Sequence, residues 1–96
     1  MNDSRRANRW HPVENFQSDF YYDGTSDKVE VLDVSALGMR AFLSRPVTVG
    51  TEISGQLDIP YNAIPFFVKG KIVRVRETSS RWETAVQFFR VSTSKV

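Results

Sequence analysis

Along most of the chain, apolar side chains recur at every second position. Ile53, Gly55, Leu57 and Ile59 fall on one side and Glu52, Ser54, Gln56 and Asp58 on the other, the two-residue period of a strand with one buried face. The same reading predicts strands over 14–22, 28–34, 38–44, 51–59, 66–77 and 81–91. The turn signals Asp23-Gly24, Arg45-Pro46, Val49-Gly50, Tyr61-Asn62 and Ser79-Ser80 stand beside or between them. No segment carries a convincing helical period, so the fold class is all-β. In the fifth strand Phe66, Val68, Gly70 and Ile72 share one face, after which Val73 and Val75 continue on the other; a bulge within 70–73 absorbs that slip. Six short strands joined by tight turns leave open edges unless the sheet curls shut, which predicts a small six-stranded antiparallel β-barrel.

Ahead of the strands, residues 1–13 are polar, lack any period and end near Pro12, which has no N–H and biases His11 toward extended geometry. They read as an N-terminal arm, with the barrel over 14–91 and a short tail over 92–96, so little or no C-terminal helix is expected. Ninety-six residues, 41% hydrophobic and 12% aromatic, fit one domain with one core and leave no room for a large enzyme pocket or a separate output domain. The absence of cysteine excludes disulfides, thiolate zinc sites and cysteine nucleophiles, and suits a reducing cytoplasm. No apolar run approaches the ~20 residues of a membrane span, and MNDSRRANRW is not followed by a signal-peptide core. A soluble, cytoplasmic protein without membrane insertion is expected.

A net charge of +2 is too small for strong sequence-blind phosphate binding, which weighs against nucleic acid. Placement matters more than the total: Arg5, Arg6 and Arg9 fall within five residues, and the next cations are Lys28 and Arg40. Catalysis has little to draw on. The single histidine, His11, lies beside Pro12 in the polar arm, where little fixes a ring geometry. Asp19, Asp23 and Asp27 would make a metal-binding face only on a helix, which Asp23-Gly24 breaks; they read as solvated hairpin carboxylates, and no metal site or cofactor is expected. Gly50 to Gly55 lacks the lysine and the helix of a phosphate-binding loop.

Two features remain. In Arg5-Arg6-Ala7-Asn8-Arg9 the outer arginines can stand up to ~14 Å apart on an extended arm, so two guanidinium forks can grip separated groups of one ligand. Guanidinium stays charged and pairs bidentately with phosphate oxygens or with the O6 and N7 edge of guanine. In Asp33-Val34-Ser35-Ala36-Leu37-Gly38 one strand ends, the chain turns and the next begins. Asp and Ser side chains cap such turns and Gly supplies a positive φ; alternatively the aspartate accepts from guanine N1 and N2 while the serine reaches phosphate or base. Each motif also has a plain structural reading, the first as a solvated basic arm.

Taken together, RxxxR at Arg5 to Arg9 and DxSxxG at Asp33 to Gly38, beginning 24 positions after Arg9, resemble the PilZ domain, the bacterial receptor module for cyclic di-GMP. Val49-Gly50-Thr51-Glu52-Ile53 is similar to the opening of a middle strand of that family. Val68-Lys69-Gly70-Lys71-Ile72-Val73-Arg74 is similar to its glycine, valine and arginine strand, and Thr84-Ala85-Val86-Gln87-Phe88 to its closing Gly-Val-x-Phe, with Ala85 in place of the usual glycine. The likeness runs from Arg5 to about Val91. It implies a stand-alone PilZ-like barrel that binds cyclic di-GMP without turnover and passes the signal to an unidentified protein effector. Arg5, Arg9 and, as a third cation, Arg6 would form one jaw, and Asp33, Ser35 and Gly38 the other. Two other readings stand beside it: a barrel binding single-stranded nucleic acid, on the strength of an isoelectric point of about 9.2 and the aromatics Phe16, Tyr21, Tyr22, Phe66 and Phe67, or a PilZ-like interaction adaptor that takes no ligand.

Overall fold

A computed structural model of the chain describes residues 15–60 and 64–93. Six strands, β1 (Phe16–Tyr22), β2 (Thr25–Val34), β3 (Gly38–Leu43), β4 (Glu52–Leu57), β5 (Phe66–Thr78) and β6 (Arg81–Ser92), close into an antiparallel barrel in the order β1-β2-β3-β6-β5-β4. The all-β barrel expected from the alternation is the fold observed, and the described residues contain no helix. The arm with Arg5, Arg6, Arg9 and His11, the Tyr61-Asn62 turn and residues 94–96 lie outside the described residues.

Strict alternation makes β1 a strand: Phe16, Ser18, Phe20 and Tyr22 point inward, and Gln17, Asp19 and Tyr21 outward. Asp23 (φ 52°) and Gly24 (φ 76°) both take left-handed backbone, as do Ser79 (φ 48°) and Ser80 (φ 70°). That is the pattern of two-residue type I′ hairpins, whose twist matches the strands they join. Pairing therefore resumes at once, with Tyr22 opposite Thr25, and β2 starts three residues before its predicted position. The polar Thr25-Ser26-Asp27 carries no apolar alternation to announce this. At the other extreme β4 stops at Leu57, paired with Phe66, short of the predicted 59.

The barrel closes where β1 meets β4, through only Phe20↔Gly55 and Tyr21↔Ser54. A Cβ on Gly55 would stand 2.6 Å from the Asp19 carbonyl oxygen and 2.6 Å from the Phe20 ring, so the absent side chain is what lets the last seam shut. Inside lie Phe20, Tyr22, Val29, Val31, Met39, Ala41, Leu43, Ile53, Leu57, Val68, Ile72 and Val86. A side chain the size of Phe20 contributes ~2–3 kcal/mol by leaving water. Of the five aromatics that could have formed a stacking platform, Phe16 and Tyr22 are buried and Phe66 packs against the core.

Three register shifts bend the sheet. One lies between Ile72 and Arg74 on β5, inside the predicted span, and makes Val73 the extra residue. A second, between Lys69 and Gly70, leaves Phe89 of β6 unpaired. The third leaves Leu32 of β2 without an opposite number. The Asp23-Gly24 hairpin is tied to the end of β3 through Asp27. Its Oδ2 accepts from the Tyr22 hydroxyl, its Oδ1 accepts from Ser44 Oγ at 2.7 Å, and Arg45 lies over the Tyr22 ring at 4.4 Å. Burial, and then Asp27, raise the Tyr22 hydroxyl far above its ordinary range. Burial also pushes Asp27 up, but the bonds from Tyr22 and Ser44 outweigh it and hold the carboxylate below its usual value. Asp27 is thus half-buried and engaged, unlike the solvated carboxylate expected of it, whereas exposed Asp19 meets Lys28 at 3.0 Å.

Candidate functional site

The bulge at Leu32 determines where Asp33 goes. Val31 faces inward opposite Ala41, and after the extra residue Asp33 is opposite Arg40 and Val34 opposite Met39. Asp33 therefore leaves the inner face for the outer one, yet it is only 2% exposed. A bulge re-aims a side chain in this way without ending the strand. Beyond it the chain reverses through Ser35, Ala36 and Leu37. The Ser35 N–H donates to the Gly38 carbonyl at 2.8 Å, and the Leu37 N–H donates to Ser35 Oγ at 3.1 Å, the local cap that serine offers a turn. The Phe88 N–H donates to the Leu37 carbonyl at 2.8 Å, fastening the turn to β6.

Gly38 is required for a reason other than the one its sequence suggested. Its φ is not among the positive ones. Instead a Cβ there would lie 2.1 Å from the Val86 carbonyl oxygen, so glycine allows β3 to lie hard against β6. The aspartate, serine and glycine of the DxSxxG motif are thus brought together at one rim, each held by a different constraint.

Charges on the outer face brace one another from that rim. Arg40 Nε donates to Asp33 Oδ2 at 2.7 Å and Arg40 Nη1 to Glu83 Oε2 at 2.6 Å; Arg76 Nη2 donates to Glu83 Oε1 at 2.7 Å. The bond from Asp33 is the main reason the Arg40 guanidinium is held above its usual value. Arg76 and then Arg40 outweigh partial burial at Glu83, holding its carboxyl below the ordinary range. Further along the face Glu30 accepts from Arg81 Nη1 at 2.6 Å and from Asn15 at 2.7 Å, while Arg81 stacks on Phe42 at 3.9 Å. Asn15, then Arg81, keep Glu30 below its ordinary value.

Arg40, Arg74, Arg76, Glu83 and Ala85 line a cavity of about 380 Å³. Among the described residues Arg74 forms no ion pair, so three guanidiniums stand around Glu83 with one of them uncommitted. Ala85, opposite both Arg40 and Arg74, has no positive φ and fits where the resemblance expects glycine. The arrangement can accept an anion at Arg74 and offers the Ser35 hydroxyl at the rim. Of the residues the sequence singled out, Asp33, Ser35 and Gly38 lie together at this rim, and Arg5, Arg6 and Arg9 fall outside the described residues. The sequence reading missed Arg40, Glu83 and Arg74. Alternation with Met39 and Ala41 marks Arg40 as outward-facing, but its partner Glu83 is 43 residues away and only the strand register joins them.

The family model described as PilZ domain matches residues 3–95. No curated protein matches the chain.

Proposed function

The chain belongs to the PilZ domain family, whose members typically bind cyclic di-GMP, and from that premise we propose that it is a receptor for this dinucleotide. The observation that carries the reading is the rim at the start of β3. There a turn fixed by Ser35 and Gly38 sits beside a buried aspartate held by Arg40 and a cavity lined by the uncommitted Arg74. In this reading Asp33 accepts from the N–H groups of a guanine edge, Ser35 reaches phosphate or base, and Gly38 keeps the rim close to β6. Arg5, Arg6 and Arg9 of the N-terminal arm supply the cations of the opposite jaw. Arg40 acts as a positioning residue, since its Nε fixes the carboxylate that would receive the guanine N–H groups. Cyclic di-GMP carries two phosphates and two guanines in one ring, which suits cations on two sides with an acceptor between them.

The protein binds without turning the ligand over and passes the signal to a protein effector through its altered surface. Calorimetric titration tests the receptor reading. Cyclic di-GMP should bind far more tightly than GMP or cyclic AMP, which offer half the pattern, and Arg9→Ala should weaken it by ~1.5–3 kcal/mol, about ten- to a hundredfold, with little change in Tm. Comparable affinity for all three nucleotides, or wild-type affinity in Arg9→Ala, overturns the proposal.

A further inference from the structure

The barrel has a second outer face, on β1, β4 and the near halves of β5 and β6. Tyr21, Ser54, Lys69 and Arg90 follow one another across it in register. Two hollows of about 580 and 240 Å³ adjoin here, both lined by Ser54 and Lys69. Phe67 and Val91 line the larger, Tyr21 and Phe89 the smaller. Phe89 is 59% and Tyr21 53% exposed, and the bulge between Lys69 and Gly70 is what throws Phe89 out of the ladder. Among the described residues Lys69 and Arg90 have no carboxylate partner, although they stand directly opposite each other, where like charges repel.

Exposed aromatics beside two adjoining hollows and two cations without a carboxylate partner among the described residues are the features of a docking surface with an anchor pocket. Resting on the reading that this protein hands its signal to a protein effector, we infer that this face takes an acidic segment of that partner. One large apolar side chain of the segment enters the hollow between Phe67 and Val91, and its carboxylates meet Lys69 and Arg90. A second copy of the chain does not suit the surface, because a two-fold contact centred on this cation pair would bring it against itself. Nor does a nucleic-acid strand, which needs cations spaced along a track, whereas among the described residues Lys69 and Arg90 are the only cations lining these hollows and stand at a single point.

The test uses a phage-displayed library of random twelve-residue peptides panned on the full chain, with the double variant Lys69→Glu/Arg90→Glu as counter-selection and Phe89→Ser as a second variant. Enriched peptides should carry net negative charge and an aromatic or large aliphatic residue. They should lose at least tenfold in affinity on the double variant and severalfold on Phe89→Ser. Amide shifts of labelled protein should move at Tyr21, Ser54, Lys69 and Arg90. Failure to enrich, enrichment of neutral or basic peptides, or equal binding to the double variant overturns the inference. So does a twelve-nucleotide oligo-dT that displaces the peptides at physiological salt, or self-association of the wild type that the double variant abolishes. Calorimetry with cyclic di-GMP on the same proteins separates the two proposals. Normal nucleotide binding with no peptide selection removes only the docking face, whereas loss of nucleotide binding in the wild type removes the receptor reading itself.

Discussion

The two outer faces of this barrel are built from the same long strands and treat charge in opposite ways. At the far end of β5 and β6, with β2 and β3, Arg40, Arg76 and Arg81 are each bound to a carboxylate, and Glu83, at 13% exposure, is gripped from both sides. At the near end, beside β4 and β1, Lys69 and Arg90 face each other with no carboxylate partner among the described residues. An exposed ion pair contributes ~0–1 kcal/mol, but a chain of them anchored on buried Asp33 fixes side-chain positions that a ligand would otherwise have to order. The first face is therefore preorganised and the second uncommitted. A rigid rim suits a small, rigid ligand of defined hydrogen-bond pattern, whereas loose cations beside exposed aromatics suit a segment that adapts as it docks. The register shifts at Gly70 and Arg74 mark the stretch of β5 where one regime gives way to the other.

The sharpest way to break the first face is through its backbone. Gly38→Ala puts a Cβ where 2.1 Å separates it from the Val86 carbonyl oxygen, and neither β3 nor β6 can yield without disturbing the pairing of Gly38 with Gln87 and of Met39 with Val86. We expect a loss of ~2–3 kcal/mol, seen as a fall in Tm of roughly 10–20 °C, together with loss of cyclic di-GMP binding. A melt within about 2 °C of wild type would mean that the rim is not held by this approach.

Next in size is Arg40→Ala, which takes one partner from the buried Asp33 and one from Glu83. Charge-assisted bonds of this kind contribute ~1.5–3 kcal/mol, so denaturant midpoints should fall by a corresponding amount, and cyclic di-GMP affinity should drop about tenfold. The matched change on the other face, Lys69→Ala, should stay within about 0.5 kcal/mol of wild type. Equal effects from the two substitutions would erase the distinction between the faces.

How far sequence alone reaches is clear from these same residues. Alternation carried the strands because one face of each is buried, and Asp23-Gly24 and Ser79-Ser80 are turns whose chemistry is local. The slip at Val73 was visible because apolar residues change sides there. The bulge at Leu32 was hidden, since Val31, Leu32 and Val34 are all apolar and leave no break in phase, and yet it is what turns Asp33 outward. Phe89 was hidden likewise beside Phe88. The motif residues Asp33, Ser35 and Gly38 were legible as a set, but the reason for Gly38 was not, because the Val86 carbonyl that demands it belongs to another strand. Nor could sequence alone join Arg40 to Glu83 or oppose Lys69 to Arg90, both being consequences of register.

Acid should act on the braced face, in addition to the Asp27 network at the first hairpin. Glu83 and Glu30 are held below their ordinary value of 4.5, chiefly by Arg76 and Asn15 respectively. A carboxylate whose folded pKa is depressed adds stability above its unfolded pKa and loses it as pH falls through the folded one. Between pH ~5 and pH ~3 the wild-type Tm should therefore fall, and Glu83→Gln should be less stable at neutral pH but flatten that slope. The difference should amount to about 1 kcal/mol or less, as for a partly exposed ion network. A slope unaltered by Glu83→Gln would show that the pairs around it do not contribute to stability.

The smallest expected effect is opposite in sign and discriminates most between the two regimes. Lys69 and Arg90 oppose each other across β5 and β6 with no intervening carboxylate among the described residues, and like charges so placed oppose pairing by ~0.2–1 kcal/mol. Arg90→Glu converts that repulsion into an attraction on an exposed surface, so it should raise stability by a few tenths of a kcal/mol up to about 1. The gain should shrink as salt is raised and the charges are screened. A substitution that stabilises the barrel while removing peptide docking is the signature of residues kept for a partner rather than for the fold. Matched denaturation curves of wild type and Arg90→Glu at low and high salt provide the measurement. If Arg90→Glu destabilises the protein at both, the cation is serving the barrel after all, and the contrast between a braced face and an uncommitted one fails where it was drawn most sharply.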